Sequence, residues 1–156
     1  MTALDGSPIK GMCKIALFFS HGVSLQTWDR RGLFDREVGY YHRLFQDIDD
    51  ILFVTYDKPT DGLECLLERL EPIKAVYDQW GVNYRLFGLI APFLHRRRLR
   101  RFQVFKTNQL SGAWTAVIAK WLLKKPLVVR CGYVPSRNLQ RQGEHIRRWI
   151  VLFLER

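Results

Sequence analysis

Five short apolar runs, fenced by polar or turn-forming residues and separated by segments of helical spacing, limit the folds open to this chain more than any other feature. The runs occupy residues 14–20, 51–56, 73–77, 103–106 and 127–131. Near-continuous hydrophobicity over so few residues suits strands covered on both faces, because a half-exposed strand would alternate apolar with polar side chains.

The intervening segments read as helices and turns. A loop rich in Gly, Ser and Thr over 20–32 precedes Phe34, Val38, Tyr41 and Phe45, the spacing of one helix face. Residues 57–62 form a turn cluster, and 63–70 predict a helix that ends by Pro72, which lacks an amide hydrogen. Tyr84, Phe87, Ala91 and Leu94 predict a helix continuing into the basic run 95–101, with a kink or a late start at Pro92. After a turn at 107–112, the positions Trp114, Val117, Ile118, Trp121 and Leu122 predict a well-buried helix, stopped at Pro126. A final helix is expected from Asn138, and the apolar stretch 149–154 within it needs a covering surface. Strands alternating with helices in this way predict one α/β domain over residues 1–156, with a doubly wound, mostly parallel, Rossmann-like sheet.

A composition of 47% hydrophobic and 13% aromatic residues supplies a core for such a sheet and excludes disorder. The formal net charge of +10 is uneven. Through Phe93 there are ten Lys and Arg against thirteen Asp and Glu, and from Leu94 onward fifteen against two. A basic second half favours an anionic partner: a phosphate-bearing ligand, an acidic membrane surface or nucleic acid. The run 95–101 has little aromatic interleaving and no recognition signature accompanies it, which argues against nucleic acid. With Leu94, Leu99 and Phe102 as apolar companions, the same run fits peripheral contact with an anionic membrane. Cys13, Cys65 and Cys131 lack metal-ligand spacing and are expected as buried thiols in a reducing, cytoplasmic setting, and no metal site is expected. No apolar stretch approaches the roughly 18 residues of a membrane span.

In open parallel sheets, ligands collect beyond the carboxyl ends of the strands. The loop after the first strand offers His21, Gly22 and Trp28, with helix-opening amides that could receive a phosphate or a sugar hydroxyl. Beyond the fourth strand lie Asn108 and Gln109, and around the end of the fifth lie Arg130 and Tyr133, a guanidinium and a phenol suited to phosphate and sugar. Each has a structural alternative: a turn glycine, a helix cap, an ion pair or a core aromatic.

The segments 105–114 (FKTNQLSGAW) and 119–133 (AKWLLKKPLVVRCGY), with 14–22 as the opening strand and loop, resemble the N-terminal domain of GT-B glycosyltransferases of the family-4, group 1 type. The resemblance implies a retaining transfer of a sugar from a nucleotide-sugar donor, with no other cofactor, to a glycan or lipid-linked acceptor held by this half. It also implies a partner, the donor-binding C-terminal GT-B domain in cis or trans, without which this chain is expected to be inactive. By position, His21 and Gly22 would face the interdomain cleft. Asn108 and Gln109 stand where relatives often place histidine or aspartate, and Cys131 with Gly132 where many show His-Gly. A non-enzymatic module that docks a phosphorylated ligand or a protein through the basic half is the alternative.

Overall fold

All five predicted strands form, and they pair in one all-parallel sheet of order β3-β2-β1-β4-β5. The computed structural model describes residues 13–110 and 113–131. Along the chain these are β1 (Lys14–Phe18), α1 (Leu25–Arg30), α2 (Phe34–Leu44), β2 (Asp50–Val54), α3 (Leu63–Leu70) and β3 (Lys74–Val76). Then come α4 (Tyr84–Leu94), α5 (Arg96–Leu99), β4 (Val104–Thr107), α6 (Ala113–Leu123) and β5 (Leu127–Val128). Tyr133, the helix expected from Asn138 and the apolar stretch 149–154 lie outside the described residues.

Helices cover both faces of the sheet, which is why the central strands β1 and β2 are apolar after their first residue, whereas Lys74 and Lys106 interrupt β3 and β4. Leu17, Phe19, Ile51 and Phe53 pack with α1, α2 and α3, joined by Phe87 and Ala91 of α4. Ala16, Phe18, Leu52, Val54 and Phe105 pack on the other side with Leu99 of α5 and with Ala116 and Ala119 of α6. The alternation along β1 therefore sends successive side chains into two separate cores.

Several expectations need correction. The loop predicted over 20–32 contains α1, too short at six residues for periodicity to reveal. It is set by its cap: Ser24 is extended and its Oγ accepts from the Thr27 amide at 3.0 Å. The basic run does not continue α4; the helix passes Pro92, ends at Leu94, and residues 96–99 form a separate turn of helix. Leu99 and Phe102, expected beside that run at a membrane surface, are 0% and 4% exposed and belong to the core.

The helix α6 is turned differently from expectation. Its inward face is Thr115, Ala116 and Ala119, while Val117 and Trp121 are exposed, Trp121 to 79%. Small residues let this helix lie close to the sheet, and because it is apolar nearly all round, spacing could not say which side faces in. The cysteines are not buried either: Cys13 is intermediate, and Cys65 and Cys131 are exposed. The fifth strand is two residues long rather than five, since pairing with β4 ends at Val128.

Candidate functional site

The strand order turns back between β1 and β4, so the loops after these two strands flank the crevice where a doubly wound sheet binds ligands. They are tied to each other and to themselves. The Asn108 amide donates to the Phe18 carbonyl at 2.9 Å, and the Val23 amide to the Ser20 carbonyl at 2.9 Å. Gly22 sits in the latter turn at φ +72°, a backbone state that favours glycine.

That turn delivers His21 into a cluster of rings. Its imidazole centroid lies 4.7 Å from Tyr84, 5.0 Å from Trp114 and 5.7 Å from Tyr56, the last two edge-on. Each ring comes from a different element: Tyr84 opens α4, Trp114 stands in the first turn of α6, and Tyr56 follows β2. Two features lock them. The Tyr56 hydroxyl and Thr115 Oγ1 share a buried hydrogen bond of 2.8 Å. Gly88 in α4 leaves room for the indole, since a Cβ there would come within 2.6 Å of Trp114 Cη2 and 2.9 Å of the Tyr56 hydroxyl.

Within this box His21 Nε2 is shielded from solvent and has no hydrogen-bond partner among the described residues. Burial first, and then the charge of Arg85, hold the imidazole below its ordinary pKa of 6.5, which favours its neutral form. Burial and Arg98 lower His95 in the same direction. For both groups the folded state takes up a proton less readily than the unfolded chain does. The stability this confers is complete above the ordinary histidine pKa of 6.5 and is lost as pH falls below it, towards the lower folded values. Thermal midpoints measured from pH 7 downward should fall, and a His21→Gln, His95→Gln double variant should flatten that decline. An identical slope in the double variant contradicts this account.

The loop after β1, expected to offer helix-opening amides to a phosphate, runs into α1, and the amides that open this helix are closed. Asp57, only 1% exposed, accepts from the Leu25 amide through Oδ2 at 2.8 Å and from the Gln26 amide through Oδ1 at 3.1 Å. With Ser24 on the Thr27 amide, the donors that would cradle a phosphate are already satisfied, and a fixed carboxylate would repel one.

The other expected site residues separate. Trp28 is 4% exposed and stacks on Phe19 at 4.2 Å, inside the core on the α1–α2 side, where it cannot meet a ligand of the crevice. Asn108 is buried beside the crevice and Gln109 is exposed next to it. Arg130 lies on the α2 side, its amide donating to Thr107 Oγ1 at 3.1 Å. Sequence reasoning missed Tyr56, Tyr84 and Trp114 as partners of His21. For Tyr56 the signal was present: it stands at the end of an apolar run, the rule that selected His21. Among the described residues no group of three or more His, Cys, Asp or Glu could hold a metal ion.

No family model, no curated protein and no solved structure matches this chain. The fold and the site define its class in structural terms: a Rossmann-like α/β unit with a cluster of rings packed around His21 beside the sheet's switch point and with the opening amides of α1 closed by Asp57.

Proposed function

We propose that this chain is the acceptor-side domain of a retaining glycosyltransferase, which moves a sugar from a nucleotide-sugar donor to a glycan or lipid-linked acceptor. A second GT-B domain, in cis or in trans, holds the donor. The observation that carries this reading is the ring cluster around His21 beside the sheet's switch point, where Tyr84 and Trp114 pack on the imidazole and Tyr84 is 41% exposed. Apolar ring faces pack on the C–H face of a sugar. The Asp57 plug supports the acceptor role, because a donor domain needs the phosphate cradle that Asp57 occupies. The chain's own contribution to transfer is then to bind and orient the acceptor, which can supply a large part of a rate enhancement.

Saturation-transfer NMR with a panel of methyl glycosides tests this reading. Transfer to at least one sugar is expected, with affinity falling roughly tenfold in Trp114→Ala and in Tyr84→Ala, the loss of about one stacking contact. Tyr84 is 41% exposed, so its replacement does not threaten the fold. Silence across the panel, or affinity indifferent to both substitutions, overturns the reading.

We also propose that the protein works at the cytoplasmic face of an anionic membrane. The outward surface of the α4–α6 pair exposes Leu86, Leu89, Phe93, Leu94, Val117 and Trp121. Five arginines within residues 96–101, together with Lys120, Lys124 and Lys125, border these side chains in the sequence. Apolar residues flanked by cations match the interface of an anionic bilayer, into which side chains insert while charges meet head groups. No helix among the described residues is long and apolar enough to cross a membrane.

A further inference from the structure

A concave site lies on the other face of the sheet from α6. Along β4, Phe105 enters the core beneath α5 and α6, so Lys106 points the opposite way, towards α2. There its Nζ donates to the Tyr41 hydroxyl at 2.9 Å. Arg36, Glu37, Tyr40 and Arg43 from α2, with Arg130 from beyond β5, join Lys106 around a cavity of about 390 Å³.

The charges in this cavity do not balance. Its lining holds four cationic groups and one carboxylate, and Arg36 already engages that carboxylate at 2.8 Å. No ion pair among the described residues holds Arg43, Lys106 or Arg130. Burial, and then the charge of Arg130, push the Lys106 ammonium below its ordinary pKa, with Glu37 opposing them. A bound anion relieves that repulsion. Three cations from three segments, none in an ion pair among the described residues, suit a group with more than one negative charge, and guanidinium forks match phosphate oxygens. The volume exceeds what a lone phosphate fills, and Tyr40, half-exposed at the cavity wall, leaves a ring face for the rest of the ligand.

We propose that this cavity binds the phosphate or pyrophosphate group of a small ligand, through Arg43, Lys106 and Arg130. The site is distinct from the ring-lined crevice and does not rest on the transferase reading; either stands if the other fails.

Calorimetric titration of the protein with inorganic pyrophosphate tests it. Saturable binding is expected, weakened about tenfold or more in Arg43→Ala and in Arg130→Ala, since a charge-assisted hydrogen bond is worth that much. Both side chains are exposed, so neither change threatens folding. Glu37→Gln should tighten binding by removing the competing carboxylate, a gain that misfolding cannot imitate. Arg97→Ala, on the basic turn α5, should leave the affinity unchanged. Absent binding, or an equal loss in Arg97→Ala and Arg130→Ala, overturns the proposal, the latter outcome showing only diffuse attraction to a basic surface. Competition arms identify the source of the group: displacement of pyrophosphate by vesicles containing phosphatidic acid marks a lipid head group, and displacement by glucose 1-phosphate alone marks a soluble phosphate.

Discussion

Replacing Asp57 with alanine should lower the free energy of unfolding by about 2–4 kcal/mol, the cost of two charge-assisted hydrogen bonds and of an interior amide left without a partner. Leu25, whose amide makes the shorter bond, is 0% exposed, so water cannot replace the lost acceptor. The substitution also cuts a tertiary link. The Asp57 side chain holds the start of α1 while its carbonyl accepts from the Asp78 amide at 3.0 Å, so one residue joins the segments after β1, β2 and β3. Asp57→Asn keeps a neutral acceptor and should lose less. Asp61→Ala, exposed on the same connection, should stay within about 0.5 kcal/mol of the parent. Urea unfolding of the three variants is the measurement, and equal losses at Asp57 and Asp61 would show that the carboxylate does not secure the helix.

Binding to vesicles carrying about one-third phosphatidylserine should collapse, on the order of a hundredfold, when Phe93 and Trp121 are both replaced by aspartate. Burying one large apolar side chain contributes about 1.5–3 kcal/mol, so removing two exceeds the roughly 2.7 kcal/mol that a hundredfold change requires. Both residues are already solvent-exposed, at 57% and 79%, so aspartate there costs the folded state little. The basic border predicts a second dependence: added salt should weaken binding, and pure phosphatidylcholine should bind poorly. Co-sedimentation that ignores salt and anionic lipid would defeat the membrane proposal. So would a dimer of the parent protein that the two substitutions dissolve, since the apolar face would then belong to a second copy.

The sequence was most informative where burial is two-sided. Ile51, Leu52, Phe53 and Val54 are all buried, and only a strand covered on both faces needs four consecutive apolar residues. It was least informative in α6, where an apolar residue at nearly every position removes the contrast on which periodicity depends. Trp121 was placed in the core by its spacing, yet Ala116 and Ala119 face the sheet because only small side chains allow that approach. Trp28 failed in the opposite direction, as a loop residue offered to a ligand but held in the core by an unforeseen turn of helix. In the candidate site, His21 and Gly22 were legible from their place at a strand end, whereas the rings that surround His21 were not. Tyr56, Tyr84 and Trp114 stand 35 residues or more from it in the chain, and nothing in a local window couples them.

By itself, the sequence determined the five strands of the described residues, the two-sided burial of the central ones and the parallel α/β class, because these depend on hydrophobic patterns a few residues long. Tertiary structure alone decided the strand order β3-β2-β1-β4-β5, the outward turn of α6 and the fate of the first helix's amides. Asp57 meets Leu25 across 32 positions, and whether a carboxylate or a phosphate satisfies those amides follows from how two loops pack, which no local propensity encodes.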